Sequence, residues 1–347
     1  MFTVKPLFFS RTTPTGPQPY QHLDAAMQMV IDEAEKHGMH WELLTDSDVV
    51  AVTYKGKTNY FRNRAPSTTH VPATKICQNK AATSAFLRKA GVCVVKSLTV
   101  YSSDSKEYLQ AVWDTLAKPL VIKPAQGMHG DAVHVGIADQ AEYFSLIQSY
   151  FVQPLYGGGL VIEEMFSGKE YRIMVTQEKV LAVIERIPAF VTGDGEHTIR
   201  ELIKLKNQLP IRNVSQDIYP HIKIDDDLLA TLKRQEKDIE SVPTKDETIH
   251  LRRVSNVMAG GETVDRTDEI HPSVAKIAMQ TIQAIPGLSW AGIDFMTTDL
   301  FSEQNENSYR IIEVNAAPEF DMHELPMQGK ARPVSFEFLK LMFPDLS

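Results

Sequence analysis

The chain of 347 residues holds only two cysteines, Cys77 and Cys93. Two thiols at that separation form neither a metal-binding spacing nor a disulfide framework. Long apolar runs are also missing. The N-terminal Leu7–Phe9 is too short for a signal-peptide core, and no stretch reaches transmembrane length. Nor is there an excess of basic charge. Lys and Arg number 36 against 44 Asp and Glu, a net −8, so there is no electrostatic case for nucleic acid or an anionic membrane. Local basic residues can still hold a small anion. Neither the cysteines nor Ser145 sit in a triad-like context, which argues against covalent nucleophilic catalysis. What is left is an ordinary globular composition, 43% hydrophobic and 23% charged, long enough for two or three packed subdomains. The expected location is cytoplasmic, with no membrane or nucleic-acid partner.

Residues 1–20 read as a short strand and a Pro/Gly/Thr-rich loop. His22–His37 places Leu23, Ala26, Met27, Val30 and Ala34 on one helical face, with Gly38 just past its end. Trp41–Tyr60 alternates apolar runs with polar turns and predicts strands, turning at Lys55–Gly56–Lys57. In Phe61–Thr69 two arginines sit in an expected loop, where a guanidinium fork suits a carboxylate and a solvated loop is the plain alternative. Asn79–Ala90 reads as a helix capped by Asn79 and stopped by Gly91, with Lys80 at its first position.

The richest signals lie further on. Lys118–Gly136 reads as strand, glycine-bearing turn (PAQGMHGD) and returning strand. Neither a Walker loop nor a dinucleotide fingerprint fits, since both open a helix. A tight loop with Gly127 and Gly130 lets backbone N–H groups approach phosphates. Lys123, inside the entering strand, is costly to bury without an anion to meet it. His129 reads as a loop residue. Leu160–Tyr171 predicts a strand with two glutamates, a turn at Ser167–Gly168, and Glu170 beyond it. A strand leaving a sheet edge exposes backbone groups able to read an adenine, and a carboxylate further on can hold ribose hydroxyls. An acidic surface turn is the bland alternative. Met174–Glu185 then predicts a hairpin turning at Gln177–Lys179, with Arg186 after it.

Ala291–Thr297 and Tyr309–Asn315 predict two strands joined by a polar connection. Alternation puts Glu313 and Asn315 on one face. If the strands pair, Asp294 brings a second carboxylate there. Two carboxylates and an amide oxygen are hard donors that suit Mg²⁺ with sites left for water and phosphate oxygens. Solvated acids near strand ends are the alternative, and Ile293, Ile311, Ile312 and Val314 argue against it. Asn207–Thr248 is charged and broken, with Ile222–Lys237 able to form one amphipathic helix; the stretch is either an insertion beside a substrate entrance or a solvated excursion. Val334–Phe343 reads as a docking helix.

Taken in order, these pieces resemble the ATP-grasp carboxylate–amine ligase family. The resemblance is closest to the ATP-grasp module of cyanophycin synthetases and of the glutathione synthetase half of bifunctional glutathione enzymes. It is carried by NK (Asn79–Lys80), VIKPAQGMHGDAV (Val121–Val133), EEMFSGKEYR (Glu163–Arg172), ERIPAFVTGDGEHTIRELI (Glu185–Ile203), IKIDDDLLATL (Ile222–Leu232), the block Val242–Pro272, GIDFM (Gly292–Met296) and IIEVNAAP (Ile311–Pro318). It runs from about residue 75 to the end, and residues 1–70 resemble the family's N-terminal part only loosely. The resemblance implies an α+β, ATP-grasp fold: two α/β subdomains gripping ATP behind an N-terminal α/β pre-ATP-grasp domain. The implied division is 1–75 for the N-terminal domain, 76–162 for the small lid subdomain with its phosphate loop, and 163–347 for the C-terminal subdomain with a 204–250 insertion.

The resemblance also implies roles. Lys80 and Lys123 look like the lysines on the α- and β-phosphates, and Gln126, Gly127 and Gly130 like the loop over the γ-phosphate. Glu163, Glu164 and the backbone near Met165 look like the adenine hinge, and Glu170 like the ribose ligand. Asp294, Glu313 and Asn315 look like the ligands of Mg²⁺, two ions with Mn²⁺ as a substitute. Arg186, Arg253 and Asn256, beside Gly260–Gly261, look like the part facing the γ-phosphate and acyl phosphate, with Arg252 as well placed by sequence as Arg253. The implied activity is ATP-dependent coupling of a small-molecule carboxylate to an amine, in a chain free to form homo-oligomers. A carboxylate expels oxide too poorly to acylate an amine, whereas an acyl phosphate has a stable leaving group. In-line phosphoryl transfer needs positioning and charge neutralisation, hence lysines, arginine and Mg²⁺. The alternatives are an ATP-grasp kinase that stops at phosphoryl transfer to a small molecule, and a nucleotide-binding module without catalysis.

Overall fold

The computed structural model describes residues 23–44, 48–125, 132–152, 159–215 and 217–347. The phosphate-loop residues Gln126, Gly127 and Gly130, with His129, and the strand expected in 1–20 lie outside them. In chain order the elements open with α1 (Ala25–Lys36), capped by the Asp24 carboxylate and ended by Gly38 at φ +65°. Strands β1 (His40–Leu43), β2 (Val49–Tyr54), β3 (Lys57–Arg62) and β4 (Ala65–Pro66) form an antiparallel-paired sheet in that order. Lys55 and Gly56 both take positive φ, the geometry of a tight two-residue hairpin turn. Phe61, expected to open a loop, is instead a buried strand residue. The two arginines meet this chain's own acids, Arg62 pairing with Asp48 and Arg64 with Asp24.

Helices α2 (Val71–Cys77) and α3 (Lys80–Lys89) follow, the second capped by Asn79, whose Oδ1 accepts from Ala82 N at 3.0 Å. Next come β5 (Ser97–Val100), α4 (Lys106–Thr115), β6 (Leu120–Pro124), β7 (His134–Ile137), α5 (Gln140–Val152) and β8 (Leu160–Glu164). These strands make a sheet ordered β5–β8–β6–β7. It covers a core of Val100, Leu120, Ile122, Tyr143, Ile147 and Ile162. Then β9 (Lys169–Thr176) and β10 (Val180–Ile187) form the expected hairpin, although Arg186 lies inside β10 and not after it.

The stretch Asn207–Thr248, expected to be either an insertion or a solvated excursion, shares a core with the elements just before it. The elements concerned are β11 (Phe190–Thr192) and α6 (Ile199–Asn207), then α7 (Pro210–Val214), α8 (Asp226–Arg234) and β12 (Thr248–His250). Val191, Ile199, Ile203, Ile222, Leu228, Leu232 and Ile249 pack together there. The amphipathic helix is shorter than expected, because Asp225 caps it and accepts from Leu228 N at 3.0 Å, leaving 222–225 outside the helix. The chain closes with β13 (Glu262–Asp265), α9 (Pro272–Gln283), β14 (Trp290–Thr297), β15 (Tyr309–Asn315), α10 (Asp321–Glu324) and α11 (Val334–Met342). The tail helix docks as expected: Phe338 meets Phe61 edge-on, with ring centroids 5.4 Å apart. No helix among the described residues is long and apolar enough to cross a membrane.

By contacts the chain divides into two compact units, one of residues 1–64, 184–265 and 319–347, the other of 65–183 and 266–318. These cuts differ from the three-part division the resemblance implies. The division falls inside β10. Its first half belongs with β9, β14 and β15, in the order β10–β9–β14–β15, and its second half pairs with β13. The second unit's main core lies under this sheet, with Tyr171, Ile173, Ile293, Phe295, Ile311 and Val314 among its members.

Candidate active site

In the second unit β14 and β15 pair antiparallel, with Asp294 opposite Glu313 and Gly292 opposite Asn315. Directly opposed residues of an antiparallel pair project to one face, and residues two apart share it. Asp294, Glu313 and Asn315 therefore lie on the same face, as the alternation predicts. Beyond Asp294 the register slips by one residue, so Phe295 faces Ile311. The bulge restores an apolar pair to the core while leaving Glu313 aligned with Asp294.

The same face continues onto β9, where Arg172 is opposite Asp294 and Glu170 opposite Met296. Arg172 Nε stands 2.8 Å from Asp294 Oδ1, with both side chains largely buried. A row of Arg172, Asp294 and Glu313 thus crosses three strands. A Cβ on Gly292 would come within 2.6 Å of Pro318 Cβ and 2.8 Å of Arg172 Nη1. Glycine there lets the guanidinium and the turn after Asn315 close over the strand. Asn315 Oδ1 accepts from Ala317 N at 3.0 Å, which fixes the amide and leaves it a lone pair. Lys80, at the start of α3, lines a small depression together with Glu313, Ile312 and Cys77. Burial, then the Glu313 charge, pushes the Cys77 thiol up to about 12, so it stays protonated and inert near neutral pH.

These donors suit a hard divalent cation: two carboxylates and an amide oxygen on one face, beside a lysine. Among the described residues no three His, Cys, Asp or Glu converge. A cation here would therefore draw its remaining ligands from water and from oxygens of a bound polyphosphate.

Lys123, the last residue but one of β6, does meet an anion, but one from its own chain. Its Nζ is 2.7 Å from Glu163 Oε2, each side chain about 7% exposed. Glu163 on β8 is opposite Val121, so the pair spans the ladder diagonally. Burying either charge alone would be costly, and the pair offsets much of that cost. Glu164 is also engaged: Oε1 accepts from Ala117 N at 3.0 Å and lies 3.2 Å from Lys96 Nζ. The expected sheet edge is absent, since β8 lies between β5 and β6. Past the end of that strand the exposed Met165 donates its N–H to Pro119 O at 3.0 Å.

The remaining candidates belong to the first unit. Arg186 on β10 is opposite Thr263 on β13. Asn256 caps the short turn Val257–Ala259, its Oδ1 accepting from Met258 N at 2.9 Å. Gly260, at φ +93°, and Gly261 pack too tightly for a Cβ, with Ile222 Cγ1 and Ile187 O in the way. The two neighbouring arginines are not equivalent. Arg252 is buried and grips Asp225 through two bonds of 2.7 Å, with Lys223 O at 3.1 Å. Arg253 is exposed.

Sequence reasoning missed two residues, Arg172 and Arg212, and the pairing role of a third, Glu163. Arg172 could have been found from its i+2 spacing to Glu170 on a strand. The Glu163 role as counter-ion to Lys123 needed the strand order. Arg212, fully buried and donating to the carbonyls of Pro220 and Gly260, carries no local signal at all.

No family model matches the chain. It is 34% identical over 326 residues to the cyanophycin synthetase of Geminocystis herdmanii, covering 93% of this chain and 37% of that protein. The glutathione biosynthesis bifunctional protein of Mannheimia succiniciproducens is 31% identical over 336 residues, 94% of this chain and 44% of that one. The crystal structure of a bifunctional glutathione synthetase from Pasteurella multocida superposes with a TM-score of 0.70 at 29% identity, over 92% of this chain and 44% of that one. The chain thus spans less than half the length of these relatives. On sequence and fold together, the chain is similar to the ATP-grasp part of cyanophycin synthetases and of bifunctional glutathione synthetases.

Proposed function

We propose that the chain is an ATP-dependent ligase that converts a substrate carboxylate to an acyl phosphate and couples it to an amine, releasing ADP and phosphate. The observation that carries this reading is the row Arg172–Asp294–Glu313, with Asn315 on the same sheet face. One or two bound Mg²⁺ ions would supply charge neutralisation of the polyphosphate there, held by Asp294, Glu313 and Asn315. Arg172 holds the Asp294 carboxylate in place, and Lys80 brings a positive charge beside Glu313 for a phosphate oxygen. Lys123 contributes its charge to the nucleotide while Glu163 keeps it oriented. Glu170 takes the ribose, and the Glu164–Met165 turn borders the adenine.

Arg186, Arg253 and Asn256 are proposed for the reacting end. A guanidinium there stabilises the oxyanion formed as the amine attacks. Arg252, spent on Asp225, leaves Arg253 as the better choice. The substrates proposed are an amino acid or small peptide and an amine, and the cofactor pair is ATP with Mg²⁺. The test is ADP and phosphate release across pairs of amino acids, with mass spectrometry of the products. A condensed product supports the ligase, and a phosphorylated product that keeps its phosphate would make the chain a kinase. Glu313→Ala is expected to lower turnover about a hundred- to a thousandfold with the fold intact. Full activity in that variant would remove the metal assignment.

A further inference from the structure

A second cavity lies wholly within the first unit, on the packed insertion, beside α6 and the residues ahead of α8. It is open and encloses about 490 Å³, within the range of small-ligand sites. Its charge is unlike that of the chain as a whole. Although acids outnumber bases 44 to 36, no carboxylate is among its described lining residues, which include Arg200, Lys204 and His221. Arg200 and Lys204 are four apart on α6 and so project side by side, about 6 Å apart at Cβ.

The floor is apolar and fixed. Ile203 and Ile222 are buried in the insertion's core. Asn207 ties the facing segment to the helix, donating to Ile222 O at 3.0 Å and accepting from Ile222 N at 2.8 Å. The cavity is thereby formed before any ligand arrives. Arg200 Nε already meets Glu240 at 2.8 Å, but both side chains are more than half exposed, so that pair is weak and its terminal nitrogens stay available. The exposed Gln208 amide, at the end of α6, both donates and accepts as a peptide group requires.

We propose that this cavity binds a short peptide bearing acidic side chains. Two adjacent cations match carboxylates, the apolar floor matches aliphatic stems, and Gln208 matches a backbone amide. An isolated phosphate would use the cations alone, and a basic peptide would be repelled.

The test is calorimetric titration of the full chain with a Glu–Glu dipeptide, a Lys–Lys dipeptide and inorganic phosphate. Glu–Glu is expected to bind more weakly as salt rises. Lys–Lys should not bind, and phosphate should bind at least tenfold more weakly than Glu–Glu. Lys204→Glu should weaken Glu–Glu binding about tenfold or more. Arg200→Gln should weaken it less, and both exposed changes should leave the unfolding midpoint in place. Binding should survive Glu313→Ala, which separates this cavity from the proposed ligase site. Absence of Glu–Glu binding, equal affinity for phosphate or Lys–Lys, or indifference to Lys204→Glu would overturn the proposal. So would binding lost in Glu313→Ala but kept in Lys204→Glu.

Discussion

At the scale of single residues, the Lys123–Glu163 pair makes the clearest demand. Both charges are buried, so removing one leaves the other without compensation. Glu163→Ala is expected to destabilise the protein by about 3–5 kcal/mol in urea unfolding. The double change Lys123→Met with Glu163→Leu should recover most of that, because two apolar side chains leave no orphaned charge. Equal losses in single and double variants would mean that the pair is not a unit. Asp321 supplies a pH dependence. It is buried in the first unit, and burial first, then the Glu319 charge, raises its carboxyl to about 7. The folded state therefore holds a proton that the unfolded state releases near pH 4. The stability this proton confers is present below pH 4 and is lost as pH rises toward 7, a change on the order of a few kcal/mol. Glu324, also raised by burial, adds to the same trend. Asp321→Asn should flatten that part of the stability curve, and an unchanged slope would count against the burial argument. The sequence made Lys123 and Glu313 legible as special, because each is a charge among apolar strand residues. It could not say that Lys123 is matched by Glu163, since that pairing depends on which strands are neighbours.

At the scale of elements, the insertion holds together through one arginine as well as its core. Arg252 anchors the start of α8 by gripping Asp225, which caps that helix. Arg252→Ala should cost about 1–3 kcal/mol and raise amide exchange in residues 222–234 before the rest of the chain. Arg253→Ala should leave stability within about 0.5 kcal/mol while lowering turnover. The reverse pattern would exchange their roles. Helices with clear caps, such as the one begun by Asn79, and hairpins with glycine turns were legible from local chemistry. The compact nature of 190–251 was not. Its apolar residues are spread thinly among charges, and they form a core only once β11, α6, α8 and β12 come together. For the same reason Ile222–Lys237 read as one longer helix, with Asp225 hidden as a cap in a run of three aspartates.

For the whole molecule, the chain carries the fold of a ligase family while spanning less than half of the relatives it matches. The strands and hairpins that carry the motif blocks were legible because alternation and glycine turns agree there, whereas α4, α5 and α9 carried no such signal. The division into compact units was not, because segments far apart in sequence, such as 23–64 and 319–347, join in one unit. The central claim is that a carboxylate oxygen is phosphorylated and then leaves with the phosphate. Once a substrate pair is found by phosphate release, the carboxylate substrate can be labelled with ¹⁸O and the released phosphate analysed by mass spectrometry. An acyl phosphate requires the amine to expel phosphate bearing one substrate oxygen, so one ¹⁸O per turnover should appear in the phosphate. Phosphate free of label, with all ¹⁸O kept in the organic product, would contradict it.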